Sequence, residues 1–237
     1  MNWIKFKDKF HESYHEIMQP FIESEECDAI YAFLKAESGR GAQVAPQSIN
    51  TFRAFKETSL DELKCVLMFQ DPYFVFKDGL PVADGLALGC SISKKLQPTL
   101  KQFYSGIEDE LFNGLNLDWD MDQYDVNYLA KQGVLMFNAS LTVEKNKAGS
   151  HKYIWKPFTD YVIKNIINKT NVPTVLFGKD AQEYEHLFTS DVLKVSHPAS
   201  ASYNGNKWDT KGTFKKLDEI IWEQQKDTVV WLAGIPF

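Results

Sequence analysis

The sequence predicts an α/β domain with a central four-stranded parallel sheet flanked by helices on both faces. Three observations carry this. Short apolar runs occur at 65–69, 134–137, 174–177 and 192–195, and each stops at a polar or turn residue, the mark of a strand buried on both faces. Segments with helical periodicity separate the runs, as crossover connections between parallel strands require. No internal repeat, low-complexity tract or linker interrupts the 237 residues, 44% of them hydrophobic, so 1–237 reads as a single domain.

The elements follow in order. Residues 2–38 read as helical, with Trp3, Phe6 and Phe10, then Ile30, Phe33 and Leu34, at helical spacing before Gly39-Arg40-Gly41. Phe52 and Phe55 suggest a short helix. In the first strand, Val66-Leu67-Met68-Phe69 gives way to Gln70-Asp71-Pro72-Tyr73, because proline lacks the N–H a ladder needs. Residues 75–90 hold Gly79, Gly85 and Gly89; a loop across the top of a site and a plain surface loop fit that composition equally. Pro98 opens a helix to about 110 with Leu100, Phe103 and Ile107 on one face. A helix near 124–132 stops at Gly133. A polar, lysine-bearing loop at 144–156 precedes a helix at 158–167, and a final helix spans 212–225. The apolar tail at 229–237 is expected to pack on the body.

Composition narrows the function classes. No stretch approaches the ~18 consecutive apolar residues of a membrane span, and Met1–Lys5 has no apolar signal region. Cys27, Cys65 and Cys90 are odd in number and widely spaced, which fits neither a disulfide framework nor a zinc site. A reducing, cytoplasmic setting is expected (a nucleus or viral replication site in a eukaryote or virus), with Cys65 and Cys90 in the core. The net charge of −6 opposes a general nucleic-acid coat, but its distribution matters more. Residues 108–125 are acidic. Lysines gather at 94–101, 145–156 and 207–216.

The four runs end in Gln70-Asp71, Asn138, Gly178-Lys179 and Ser196-His197. Parallel strand ends point the same way, and ligands bind outside them. There is no nucleotide-binding glycine fingerprint and no Ser or Cys at a nucleophile elbow. The edge is also poor in metal ligands, so neither metal nor cofactor is expected. An acid and an imidazole without these suit hydrolysis by water.

Here the residues match a known family. The chain resembles the family-1 uracil-DNA glycosylases nearly end to end. The resemblance rests on Phe52-Arg53-Ala54-Phe55, Gln70-Asp71-Pro72-Tyr73, Asp84-Gly85-Leu86-Ala87, the run Gln132 to Val143, Ser150-His151, Phe158-Thr159-Asp160, Gly178 and His197-Pro198. Gly178-Lys179, His197-Pro198-Ala199 and the ending Trp231 to Phe237 are similar to the poxvirus branch. The resemblance implies excision of uracil from single- or double-stranded DNA. Asp71 would position water and stabilise the sugar cation. Neutral His197 would hydrogen-bond uracil O2, and Asn138 would read the uracil edge. Tyr73 would exclude thymine's methyl, Gln70 would offer a backbone N–H, and Ser91, Pro98, Lys179 and Ser202 would grip phosphates.

Departures matter too. Leu88 stands where the family stacks a phenylalanine, and Phe74 where it has histidine. The wedge leucine of the family falls at Ala201, so strand separation passes to Tyr203 or the enzyme prefers single strands; Ala201→Leu is then expected to raise duplex activity. Other readings are a replication accessory protein on this fold and a glycosylase for another modified pyrimidine. A monomer is expected, with a protein inhibitor or replication factor as conceivable partners.

Overall fold

Strand β1, Cys65–Phe69, lies inside the sheet with every residue buried. It pairs in parallel with β2, Val134–Asn138, on one side and β3, Thr174–Phe177, on the other; β3 pairs in parallel with β4, Leu193–Val195. The strand order is therefore β2-β1-β3-β4. The computed structural model describes residues 3–114 and 124–234. Apolar runs form these strands because both faces are covered, so no polar face interrupts them.

The helices include α1, His15–Ile22; α2, Glu25–Gly39; α3, Arg53–Glu57; α4, Pro98–Leu111; α5, Asn127–Ala130; α6, Lys152–Val162; α7, Gly178–Gln182; and α8, Thr213–Gln225. Aromatic contacts sort several of them into two layers. Phe103 of α4 packs on Phe69 of β1 and Phe214 of α8. On the other side Phe55 of α3 packs on Phe137 of β2 and Phe158 of α6, and Phe158 meets Phe21 of α1. All of these pairs but the tilted Phe55–Phe137 are edge-to-face, and such pairs add about 0.5–1.5 kcal/mol each beyond the area they bury.

Four expectations need correction. The N-terminal helical stretch is broken in two places. The His11 imidazole accepts the Ser13 N–H, and Ser24 caps Cys27, each a local side-chain bond that competes with helix continuation. The helix expected at 158–167 begins at Lys152, inside the expected loop, and runs on through a wider π turn, Ile163–Ile167. Pro157 sits in its interior and masks the helix in sequence. The helix before Gly133 is one turn, Asn127–Ala130, although Gly133 has the positive φ of a stop. Finally, 75–90 is no plain surface loop. A hairpin pairs Phe76–Lys77 with Leu80–Pro81, and Val82, Ala83, Asp84 and Leu86 to Leu88 are buried.

All three cysteines are buried and free. In the tail Val229, Trp231 and Leu232 are buried; 235–237, like 115–123 of the acidic stretch, lies outside the described residues. Among the described residues no helix is long and apolar enough to cross a membrane.

Candidate active site

The β1 register carries Phe69 opposite Asn138, and the chain beyond each strand continues the pairing: Ala139 N–H donates to Phe69 O at 2.8 Å and Ser140 N–H to Gln70 O at 3.0 Å. The first carboxylate past β1 is thereby fixed beside the end of β2. Asp71 Oδ2 accepts the Gly149 N–H at 2.7 Å and the Gln70 side-chain amide at 3.2 Å. Its Oδ1 is buried without a hydrogen-bond partner. Burial pushes the carboxyl up to about 6, against the Gly149 hydrogen bond; Asp180 raises it further, and Lys152 and the nearby Ser140 hydroxyl, which itself donates to Thr142 O, lower it.

His197 follows β4. Its ring meets Phe69 edge-on at 5.9 Å. Trp208 Nε1 donates to Ser196 O at 2.9 Å, fixing the preceding residue. The His197 Nδ1 accepts the Ala199 N–H at 3.2 Å, so the proton of the neutral ring belongs on Nε2. Burial lowers the imidazole to about 4, opposed by Asp180. Gly178 has φ +81, and a Cβ there would approach His197 Cβ to 3.0 Å. Glycine at the β3 end thus permits the close passage of the two loops.

Asn138, 4% exposed, leaves Oδ1 without a partner. An orphaned buried amide oxygen is costly unless a ligand completes it. A carboxylate oxygen, an amide and a neutral imidazole N–H on one strand edge can hold water, read a donor–acceptor edge and stabilise a leaving anion.

The profile described as the Uracil DNA glycosylase superfamily matches residues 55–223. The chain is 35% identical over 214 residues to the uracil-DNA glycosylase of Francisella philomiragia, covering 85% of this chain and 91% of that one. This chain belongs to the uracil-DNA glycosylase superfamily. A second relative, the enzyme of Francisella tularensis subsp. novicida, is 37% identical over 194 residues, with 79% and 81% coverage. The mimivirus uracil-DNA glycosylase superposes with a TM-score of 0.83 at 18% identity, over 98% of this chain and 89% of that one, which supports the fold. Solved structures include mimivirus UNG Y322L in complex with UGI, with the same TM-score of 0.83 at 18% identity and coverage of 98% and 91%.

In this glycosylase the other expected residues are distributed as follows. Tyr73 is half-buried against the core. Leu88 is buried and holds φ +62, a region that costs a leucine backbone strain. What enforces it is Asp84, which stands out in the sequence only as part of a motif. Its carboxylate accepts the Leu86 N–H at 3.1 Å and the Ser91 N–H and hydroxyl at 3.0 and 2.6 Å. Arg53 pairs with it at 2.8 Å. An acid between Val82-Ala83 and Leu86-Ala87 is the signal that could have identified it. Gly149, also unforeseen, holds φ +73, and its sole mark in the sequence is a glycine within the polar stretch Lys147-Ala148-Gly149-Ser150.

The expected phosphate contacts fare unevenly. The Ser91 hydroxyl is engaged by Asp84. Pro98 and Lys179 are exposed, as is Ser202, whose hydroxyl donates to Ala199 O. Lys147, Lys152 and Lys156 pair with Glu144, Asp180 and Asp160, so three lysines of the 145–156 group face protein acids. Lys179 and Lys211 line a cleft of about 540 Å³ beside His197, together with Lys194, whose Nζ pairs with Glu185 at 2.7 Å. Ala201 is 1% exposed and its carbonyl accepts the Asn204 and Asn206 N–H groups. A leucine there would overpack the turn, so the expected gain from Ala201→Leu is withdrawn. The exposed ring of that turn is Tyr203, at 90%.

Proposed function

We propose that this protein flips a deoxyuridine out of DNA and hydrolyses its N-glycosidic bond, releasing uracil and leaving an abasic site. The observation that carries this is the pairing of a carboxylate with one uncommitted oxygen, Asp71, and an imidazole whose Nδ1 is occupied, His197. The bond from C1′ to N1 breaks with its electron pair leaving on uracil. Negative charge grows on O2, where His197 Nε2–H donates. The sugar becomes cationic and Asp71 stabilises it. Water held by Asp71 adds to C1′ and gives its proton to the carboxylate. Asn138 hydrogen-bonds the uracil edge, and Tyr73 and Leu88 bound the base. Lys179 and Lys211 take phosphates. Release of uracil, but neither cytosine nor thymine, from matched oligonucleotides tests this assignment; equal release of thymine would refute the role given to Tyr73, and equal release of cytosine that given to Asn138.

The site's ionisation gives a second expectation. Asp71 must be charged, so kcat/KM should fall as pH drops through about 6. His197, near 4, stays neutral across that range and adds no second limb. Activity that stays level down to pH 4.5 would rule out Asp71 as the titrating base.

Tyr203 is the candidate to occupy the gap a flipped base leaves, since its exposed aromatic ring lies at the end of the turn that starts from His197. Tyr203→Ala is expected to slow release from duplex DNA about tenfold, the scale of 1–3 kcal/mol for one stacked base, and to spare single strands. Equal effects on both substrates would remove the role. A protein inhibitor such as UGI would be expected to cover this same rim, with the enzyme acting as a monomer.

A further inference from the structure

Asp71 depends on a single backbone donor, the Gly149 N–H, and that donor lies in a turn held from outside the site. Glu144 grips the turn twice. Its carboxylate takes Lys147 Nζ at 2.9 Å on both oxygens, and its N–H donates to Ser150 Oγ at 2.8 Å. Gly149 sits between those two points. Lys147 N–H returns to Glu144 O and Ser150 N–H to Lys147 O, at 3.0 and 3.1 Å, while Asn146 N–H reaches Phe74 O at 3.0 Å. Glu144 is in turn clamped by Arg40, just past α2, through Nη2 at 2.9 Å and Nη1 at 3.3 Å. The same guanidinium takes Glu37 Oε1 through Nε at 2.8 Å. Arg40 is half exposed, but the Glu37 and Glu144 side chains are only 11% and 14% exposed. An isolated surface pair does little; a guanidinium forked onto two shielded carboxylates fixes geometry.

We propose that Arg40 is a positioning residue for Asp71, acting through Glu144 and the 144–150 turn to aim the Gly149 N–H. This rests on the glycosylase reading. Arg40 touches no reacting group, and its effect passes through the turn. The groups that face Asp71 are the Gly149 N–H, the Gln70 amide, Ser140, Asp180 and Lys152. Of these, the Gly149 N–H is the one that the turn carries.

The test uses the full chain without substrate. In Arg40→Ala, exchange of the Gly149 amide should speed at least about tenfold as the turn opens. The Asp71 carboxyl, followed by NMR, should titrate above its wild-type midpoint. With deoxyuridine oligonucleotide, kcat should fall about tenfold, in keeping with a slightly misplaced catalytic group, while KM stays within about twofold. The acid limb should move to higher pH, and Arg40→Lys, which keeps the charge without the fork, should restore part of the loss. Glu144→Gln separates geometry from bulk charge. Removing a negative charge would by itself lower the Asp71 midpoint, whereas loosening the turn raises it. An unchanged Gly149 exchange rate in Arg40→Ala, or a lowered midpoint in Glu144→Gln, would overturn the proposal. Wild-type protein that releases no uracil would instead refute the glycosylase reading, whatever the exchange and titration show.

Discussion

Asp71→Asn is expected to lose uracil release by about 10³-fold, within the range for a positioned proton acceptor, and to melt at a higher temperature than the wild type. Both follow from one placement. Burial raises the carboxyl from 3.8 to about 6, so at neutral pH the fold holds a charge it disfavours. Allowing for partial exposure, that cost is of order 2 kcal/mol, or several degrees for a chain of this size. The sign is definite. The folded midpoint lies above the unfolded one, so the penalty is fully present above about pH 6 and fades as pH falls toward 4. The stability advantage of the variant should therefore shrink over that interval. Thermal melts of both proteins from pH 4 to 8 check it, and a variant that is less stable at pH 7 would make Asp71 a structural residue.

His197→Ala should cost about 10²–10³ in kcat, the range for one donor aimed at a developing anion, with His197→Gln recovering part because its amide can still donate. Here the stability effect runs the other way with pH. The folded ring titrates near 4 rather than 6.5 because it is buried. The unfolded chain takes up the proton first, so the wild type loses stability as pH falls from about 6.5 toward 4. The alanine variant lacks that loss, although it also gives up the edge-on contact with Phe69. Uracil-release kinetics at pH 7.5 and melts across the same pH range check both halves. A variant that retains more than about half the wild-type kcat would mean that His197 supplies no transition-state donor.

Both residues were legible in the sequence because strand ends are. Apolar runs at β1 to β4 stop at Asp71, Asn138, Gly178 and His197, and parallel pairing does the rest. Less visible was everything that depends on contact between distant segments. Gly149 lies far along the chain from Asp71, and no periodicity records that its N–H donates there. Asp84 reads as a turn acid until Arg53 and Ser91 are seen around it. Leu88 gives no sign of a left-handed backbone, since leucine is rarely found there. Lysine clusters mislead for a related reason: composition counts charges, whereas Lys147, Lys152 and Lys156 already have acidic partners in the fold. Ala201 occupies the family's wedge position in sequence, yet the turn after His197 folds its methyl inward and leaves Tyr203 outside.

The most direct test is single-turnover uracil release from a single-stranded oligonucleotide with one deoxyuridine, with EDTA present and Asp71→Asn alongside. Rapid release by the wild type, and a loss of about 10³-fold in the variant, is the predicted result. No release by a wild-type protein that still binds the oligonucleotide would contradict the assignment of Asp71 and His197 to glycosidic hydrolysis.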